Sequence, residues 1–137
     1  HGGAHNHRFG LFDGILIKDN HVVACGSIAN AVARAKNNAP HHLVKVGVEV
    51  DRIDQIDDAI EAGADHLLLD NMDVPTLKAA VAKVAGRATT EASGGINLQT
   101  APAISRSGVD FLSSGGLIHQ ARWVDIGLDF DPLDAQS

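Results

Sequence analysis

Apolar residues along this chain follow two spacings, and each spacing predicts a different kind of element. Short continuous apolar runs predict buried strands, whereas apolar residues three or four positions apart predict one face of a helix. The predicted strands cover residues 14–18, 43–50, 66–70, 88–93 and 109–114. The helix faces predicted after the first four strands hold Ile28, Val32 and Ala35; Ile53, Ile56 and Ile60; Val74, Leu77, Val81 and Val84; and Leu98, Ala101 and Ile104. Four strand–helix units in a row, followed by a fifth strand, favour an α/β fold with a parallel sheet.

Residues that commonly begin and end helices stand at the ends of these predicted helices. Asp73 precedes a first turn that carries Pro75, and Asn97 stands where it could cap the fourth helix. Gly63 and Gly108 stand where the second and fourth helices should end. The near copies AGADHLLL and SGVDFLSS each lead into a strand, which predicts successive βα units that pack alike. The last residues, DPLDAQS, are expected to fray.

Composition and charge limit the possible classes of protein. With 137 residues, 45% of them hydrophobic, the chain can bury one core and is too short for two ordinary domains. A formal net charge of -6 argues against a protein that coats nucleic acid, which would present a basic face. The single cysteine, Cys25, excludes an internal disulfide framework and fits a reducing compartment. No apolar run approaches the roughly 20 residues that span a bilayer, so a soluble cytoplasmic protein is expected.

The predicted strands are followed by polar residues and glycines at their carboxyl ends. In a parallel α/β barrel that edge is the active-site face, and glycine-rich loops after the late strands commonly bind phosphate. Glycines after strands can also serve only as turns, but two consecutive late loops with carboxylates and a lysine upstream favour phosphate binding. An open Rossmann sheet, the rival fold, would carry a G-x-G-x-x-G motif after its first strand, and this chain has no such motif there. The residues at these ends are Lys18, Glu49, Asp70, Ser93-Gly94-Gly95 and Ser114-Gly115-Gly116.

The first 21 residues, HGGAHNHRFGLFDGILIKDNH, combine four histidines with two cations and a glycine-interrupted apolar patch. A zinc site, a tag-like remnant and an anion-binding active site would each use some of these residues. His5 and His7 lie close together, but Cys25 is the single thiol and there is no H-E-x-x-H pattern, which makes structural zinc the weaker interpretation.

Several motifs resemble those of one enzyme family. HNHR, LFDGILIKDNH, VEVD, AGADHLLLDNM, EASGGI and GGLIH followed by DIGLDF occur in order over nearly the whole chain. Together they resemble the barrel domain of the quinolinate phosphoribosyltransferases, also called nicotinate-nucleotide pyrophosphorylases (carboxylating). The resemblance implies a parallel (β/α) barrel of the type II phosphoribosyltransferase kind, present here as an incomplete five-strand portion. It also implies transfer of phosphoribose from phosphoribosyl pyrophosphate to quinolinate, with loss of CO2 and pyrophosphate, in NAD biosynthesis.

The same resemblance assigns roles to individual residues. His7, Arg8 and Lys18 match family positions that contact the pyridine diacid, and cations of these types suit two adjacent carboxylates. Glu49 and Asp70 match residues that hold the ribose hydroxyls and the associated Mg²⁺, and Lys18, Glu49 and Asp70 are the expected catalytic residues. The 5′-phosphate is expected to be held by Ser93, Gly94, Gly95, Ser114, Gly115, Gly116 and His119.

The chain also departs from the family pattern. The family usually has an acid where Gly47 stands, glycine where Ala4 stands, and V-G-A-L-T-H where residues 114–119 read SGGLIH. The upstream strand resembling TRKT, which supplies an arginine and a lysine, and the N-terminal domain are missing from the sequence. Residues 1–137 are therefore expected to be the C-terminal part of the catalytic barrel of a longer protein. In the family the complete enzyme is a homodimer or a higher homo-oligomer, and the isolated portion is expected to be inactive.

Two alternative functions stay open. The first is a paralogous type II phosphoribosyltransferase that uses another acceptor. The second is a non-catalytic barrel portion that binds phosphate or a metal. No nucleic acid or membrane partner is expected in any of these cases.

Overall fold

The computed structural model describes residues 2–129, in which each strand is followed by one or two helices. The fraying expected for DPLDAQS concerns residues outside this range. In chain order the elements are β1 (Ile15–Ile17), α1 (Asp19–Cys25), α2 (Ile28–Asn38), β2 (Val46–Val50), α3 (Gln55–Glu61), β3 (His66–Asp70), α4 (Val74–Val84), β4 (Thr89–Ser93), α5 (Ala101–Ser105), β5 (Phe111–Ser113) and α6 (Gly116–His119).

The strands form one parallel sheet whose spatial order is the chain order, β1-β2-β3-β4-β5. Crossovers between parallel strands are right-handed, so a sheet that always advances in one direction receives its crossover helices on one face. A doubly wound sheet would instead reverse direction and carry helices on both faces. The predicted α/β fold is confirmed, and its strand order is that of five consecutive strands in a barrel wall.

The hydrophobic core lies between one face of the sheet and helices α2 to α5. Alternate residues of β2 and β3 point to this side and are fully buried, which follows from the two-residue period of a strand. Complete burial of each such side chain stabilises the fold by about 1.5–3 kcal/mol. The core residues with no exposed surface are Val32, Val46, Val48, Val50, Ile56, Ala59, Leu67, Leu69 and Ala80.

The other face of the sheet is lined by the intervening strand residues and is much more polar. Gly47 lies on this face, because a Cβ added there would be 3.3 Å from both the His66 ring and the Leu16 side chain. Glu91 shares the face and accepts a hydrogen bond from His66 across the strands. This face corresponds to the interior of the barrel, and it continues to the carboxyl ends of the strands.

The predicted helix boundaries are confirmed at three positions. The Asp73 side chain accepts a 2.9 Å hydrogen bond from the backbone N–H of Thr76 and caps α4. Gly63 and Gly108 follow α3 and α5 with φ of +91° and +93°, a left-handed conformation that favours glycine.

The prediction for the start of the fourth predicted helix was wrong. Helix α5 begins only at Ala101, and Asn97 instead accepts hydrogen bonds from the backbone N–H groups of Gln99 and Thr100 in a preceding turn. That turn directs Leu98 outward, so its side chain is 88% exposed and does not share a buried face with Ala101. The side-chain hydrogen bonds of Asn97 compete with the helix and delay its start.

Helix α1 was not predicted, because it has no fully buried residue and its apolar face is short, with only Val22 and Cys25 partly buried against the core. Its Val23 is 81% exposed. The helix begins after Lys18, whose backbone N–H donates to His21 Nδ1 at 2.9 Å. It ends at Cys25 and is capped by Gly26, which has φ of +82°.

The strands are shorter at their amino ends than predicted. Strand β2 begins at Val46 rather than at residue 43, and β5 begins at Phe111 rather than at residue 109. The residues before β2 form a loop in which Leu43 is exposed. In the part of the chain that the structure describes, even α2 and α4, with 11 residues each, are too short to cross a membrane.

Candidate active site

The predicted site residues meet at the carboxyl edge of the sheet. The strand register places Asp70 beside Ser93, and Ser93 beside Ser113. Lys18 directly follows β1 and reaches Glu49 on β2. Gly115 follows β5 by two residues. Because all the strands are parallel, this confirms the prediction that these groups converge on one edge with the helices packed on the outer face.

Lys18 and Glu49 form an ion pair at this edge. Lys18 Nζ lies 2.7 Å from Glu49 Oε2, and the Glu49 side chain is 15% exposed. The hydrogen bond to Glu49 raises the pKa of Lys18, and although partial burial opposes this effect, the negative charges of Glu49 and Asp70 raise it further. Lys18 is therefore a fixed cation at neutral pH, held beside two carboxylates.

Asp70 is held by the residue that follows it. Asn71 Nδ2 donates to Asp70 Oδ2 at 2.7 Å, and the backbone N–H of Asn71 donates to the carbonyl oxygen of Ser93 at 2.9 Å. Asn71 has φ of +54°, a conformation that Asn tolerates better than most residues. Asn71 thereby connects the carboxylate at the end of β3, through its side chain, with the end of β4, through its backbone.

The glycine-rich loop after β4 depends on its glycines for its conformation. Gly94 and Gly95 have φ of +90° and +62°. A Cβ on Gly94 would also lie 2.6 Å from Asn71 Cγ and 3.1 Å from Asn71 Cα. Glycine therefore lets the backbone of this loop pack directly against Asn71.

The loop after β5 is tied to the loop after β4. Ser114 Oγ donates to the carbonyl oxygen of Ile96 at 2.7 Å. A Cβ on Gly115 would lie 3.3 Å from Cδ2 of His119, so the imidazole lies close over this glycine. Gly115 has φ of -68°, so this glycine is not required for a left-handed turn. Gly116 begins α6, where the nearest side-chain atoms would meet a Cβ at an ordinary distance of 3.5 Å.

His7 and Arg8 lie in the exposed segment before β1. His7 is brought into the site, because its Nε2 lies 3.2 Å from Glu91 Oε1 on β4. Arg8 and His5 are exposed. Among residues 2–129 no group of three or more His, Cys, Asp or Glu side chains is arranged to share a metal ion.

Glu91 is the residue of this site that sequence reasoning missed. It is only 5% exposed in the middle of β4. Burial, the largest single influence, raises the pKa of Glu91, but hydrogen bonds from His66 and Ser113, together with the positive charge of His7, outweigh it and leave the pKa below its ordinary value. The available signal was a charged residue inside the short run ATTEAS, where a buried strand should have none.

Two clefts lie away from this edge. One, of about 370 Å³, lies at the amino ends of the strands and is lined by residues that include Lys45, Asp65 and Arg87. Another, of about 410 Å³, lies between α2 and α3 beside Ile28 and Asp58. Neither contains the residues predicted for the active site.

Comparisons with known proteins identify the family of this chain. The family model described as quinolinate phosphoribosyl transferase, C-terminal domain, matches residues 1–129. The chain is 44% identical over 128 residues to a probable nicotinate-nucleotide pyrophosphorylase (carboxylating) of Bacillus subtilis (strain 168), covering 93% of this chain and 44% of that protein.

Solved structures show the same relationship. NadC from Streptococcus pyogenes superposes with a TM-score of 0.80 at 40% identity, over 90% of this chain and 43% of that chain. The nicotinate-nucleotide pyrophosphorylase from Ehrlichia chaffeensis superposes with a TM-score of 0.84 at 38% identity, over 93% of this chain and 46% of that chain. The chain thus spans less than half the length of these relatives. By the match of its family model over nearly all its length, the chain belongs to the quinolinate phosphoribosyl transferase family, as its C-terminal domain.

Proposed function

We propose that this chain forms the catalytic face of an enzyme that makes nicotinate mononucleotide from quinolinate and phosphoribosyl pyrophosphate. One observation carries the proposal: the Lys18–Glu49 ion pair and Asp70 lie at the same sheet edge as two glycine-rich loops, in a chain of this family. Cations, carboxylates and open backbone are the three kinds of group that these two substrates require.

Quinolinate carries two adjacent carboxylates, so it needs several cations in a chain whose net charge is -6. His7, Arg8 and Lys18 would supply them, with the Arg8 guanidinium able to bind one carboxylate through two hydrogen bonds. Lys18 already stands at the edge of the sheet with its charge fixed by Glu49. A diacid bound there would therefore contact a Lys18 ammonium group that is also paired with Glu49.

Glu49 and Asp70 would act on phosphoribosyl pyrophosphate. In the reaction the pyridine nitrogen forms a bond to C1 of the ribose, the bond from C1 to pyrophosphate breaks, and positive charge develops on the ribose ring. Carboxylates aimed at that ring stabilise charge that exists only in the transition state. The bond to the carboxylate carbon next to the nitrogen then breaks, CO2 leaves, and a proton takes its place.

Glu49 and Asp70 also fit a magnesium ion. Mg²⁺ prefers oxygen ligands and is commonly held by one or two carboxylates together with substrate phosphate oxygens. The two side chains belong to neighbouring strands at this edge. The ion pair with Lys18 fixes the orientation of Glu49, and the hydrogen bond from Asn71 fixes that of Asp70. Mg²⁺ would neutralise charge on the departing pyrophosphate.

The two glycine-rich loops would bind the 5′-phosphate through backbone N–H groups, which glycine leaves accessible. The hydrogen bond from Ser114 to Ile96 holds the loops together, so they can act on one phosphate group. His119, packed close over Gly115, would add a donor. The residues assigned to this phosphate are Ser93, Gly94, Gly95, Ser114, Gly115, Gly116 and His119.

The complete enzyme is proposed to be a cytoplasmic homodimer or a higher homo-oligomer. Exposed aromatic and aliphatic side chains in the segment before β1 and in α6 support this proposal, since burial against another subunit or domain would remove them from water. They include Phe9, Phe12, Leu117 and Ile118.

The test uses an extended protein, defined as this chain joined to the amino-terminal portion of the Bacillus subtilis relative. With phosphoribosyl pyrophosphate, Mg²⁺ and quinolinate, it should form nicotinate mononucleotide and release CO2 from carboxyl-labelled quinolinate. The 137-residue chain alone should form no detectable product under the same conditions. Chromatography of the product and capture of labelled CO2 measure both results.

The alternative functions give different results in the same assay. Product from nicotinate but not from quinolinate would show a paralogous transferase with another acceptor. Bound metal without any response to phosphoribosyl pyrophosphate would show a non-catalytic portion. Either result would contradict the proposed function.

A further inference from the structure

Glu91 is a buried carboxylate for which the proposed reaction has no use. Its side chain is 7% exposed, and both of its oxygens are occupied. His66 Nε2 lies 2.7 Å from Oε2, and Ser113 donates a hydrogen bond to Oε1. His7 Nε2 lies 3.2 Å from the same Oε1. A buried charge is costly, so its retention at this depth calls for a partner charge.

The three groups that face Glu91 come from different parts of the molecule. His66 and Ser113 belong to the neighbouring strands β3 and β5 and are fixed by the sheet. His7 belongs to the segment before β1, which contains no regular element, and its side chain is 52% exposed. The contact with Glu91 therefore joins a side chain of this irregular segment to the middle of β4, on the barrel-facing side of the sheet.

The chemistry of imidazole limits what His7 can do in this position. A histidine ring has two nitrogens, and the contact with Glu91 engages Nε2. Nδ1 is then the ring nitrogen that remains to meet a substrate carboxylate. When the imidazole carries both of its protons, each nitrogen donates, so Nδ1 can donate to a substrate carboxylate while Nε2 donates to Glu91.

We infer that Glu91 is a positioning residue for quinolinate binding, which acts by holding the His7 imidazole toward the diacid. The inference rests on the proposed function, since it names a further residue of that same site. In this arrangement Glu91 does not touch the substrate. It contacts His7, and His7 in turn contacts a carboxylate of quinolinate. Its effect should therefore fall on quinolinate and not on phosphoribosyl pyrophosphate.

The test measures substrate affinities in the extended protein and in its Glu91→Gln variant, which keeps the size of the side chain and removes its charge. The dissociation constant for quinolinate should rise about tenfold or more, as for loss of a charge-assisted hydrogen bond, whereas that for phosphoribosyl pyrophosphate should change less than twofold. Glu61→Gln, at an exposed position on α3, is the matched control and should change neither constant.

A double-mutant cycle separates positioning from a general structural role. If Glu91 acts through His7, then Glu91→Gln in a His7→Ala background should change quinolinate affinity less than twofold. Should Glu91→Gln fail to fold, Glu91→Asp keeps the charge but shortens the reach to His7, and it should show the same selective loss. The His7 ring nitrogen signals in NMR spectra should also shift in either Glu91 variant and not in Glu61→Gln.

The outcomes are distinct. Equal losses for both substrates, or a full effect of Glu91→Gln without His7, would show that Glu91 only supports the fold and would overturn the inference alone. Unchanged quinolinate affinity in folded Glu91 variants would also overturn the inference and leave the proposed function standing. Absence of quinolinate binding by the unsubstituted extended protein would overturn the proposed function and the positioning role with it.

Discussion

Replacing Gly94 by alanine should destabilise the chain and disturb the site, for two reasons that the structure separates. Gly94 has φ of +90°, which L-residues with a Cβ rarely adopt. The new Cβ would also lie 2.6 Å from Asn71 Cγ and 3.1 Å from Asn71 Cα. The side chain of Asn71 can rotate away, but its backbone is fixed by the hydrogen bond from its N–H to Ser93.

The expected loss of stability combines both effects. Holding alanine in a left-handed conformation costs about 1–2 kcal/mol. Forcing an extra methyl group into a packed site costs about 1–3 kcal/mol. Gly94→Ala should therefore lower the free energy of unfolding by about 2–5 kcal/mol.

Gly86→Ala is the matched control, because Gly86 also has a positive φ, of +73°, but a Cβ there would meet nothing within 4 Å. It should lose only the conformational part, about 1–2 kcal/mol. Guanidinium denaturation followed by circular dichroism, in the extended protein, measures both variants. Since Asn71 donates to Asp70, turnover should also fall more in Gly94→Ala than in Gly86→Ala. Equal losses of stability in the two variants would refute the steric argument and leave conformational strain alone.

Three further predictions concern the site, the core and the pH dependence. In the extended protein, Arg8→Ala should weaken quinolinate binding much more than phosphoribosyl pyrophosphate binding, and Asp70→Asn should do the reverse or lower turnover. Calorimetric titration with each substrate measures both affinities, and equal losses of affinity for the two substrates in both variants would refute the prediction. Leu69→Ala should cost about 2–5 kcal/mol of unfolding free energy, because Leu69 has no exposed surface, whereas Leu98→Ala at an exposed position should cost less than about 0.5 kcal/mol; denaturation midpoints test the contrast. The pKa of Glu91 is lower in the folded chain than its ordinary value of 4.5, so ionised Glu91 stabilises the fold above pH 4.5, and this stability is lost as the pH falls through the lowered pKa. Unfolding midpoints should therefore decline as the pH falls below 4.5, and they should decline less steeply in Glu91→Gln.

The architecture could be predicted from the sequence because the strands that form the centre of the sheet are buried. The run HLLLD combines short length with continuous apolar character, and its predicted bounds, residues 66–70, agree with β3. Helix α4 was also predictable from the sequence, since Asp73 and Pro75 mark its start and a periodic apolar face follows. Burial imposes a pattern on sequence, and this pattern located each buried strand, although the start of β2 was predicted three residues too early.

The errors fall where burial does not shape the sequence. Helix α1 contributes only the partly buried Val22 and Cys25, too short an apolar face to reveal a helix, although Asp19 in its first turn and Gly26 after its end are typical boundary residues. Leu98 is apolar at a helical spacing, yet the side-chain hydrogen bonds of Asn97 decide the local conformation before any packing can.

The candidate site was predictable in its location but not in its contacts. Polar residues at strand ends must share an edge once the strands are parallel, so Asp70 and Ser93 had to be neighbours. The pairing of His7 with Glu91 joins residues 84 positions apart in sequence, and no spacing rule connects them. Such a contact depends on where an irregular segment crosses the barrel interior, which only the folded structure specifies.

The polar interior also helps to specify the sheet itself. Glu91 stands opposite Phe111 in the register, yet its side chain reaches diagonally to His66 on one strand and Ser113 on the other. Because side chains alternate between faces, a slip of one residue in β4 would turn Glu91 toward the apolar core between sheet and helices, where it would have no partner. A slip of two would keep the face but would place the carboxylate opposite one donor, His66 or Ser113, and move it away from the other. The network that we propose to orient His7 therefore also disfavours the wrong strand registers, so the chemistry of the site and the register of the sheet depend on the same carboxylate.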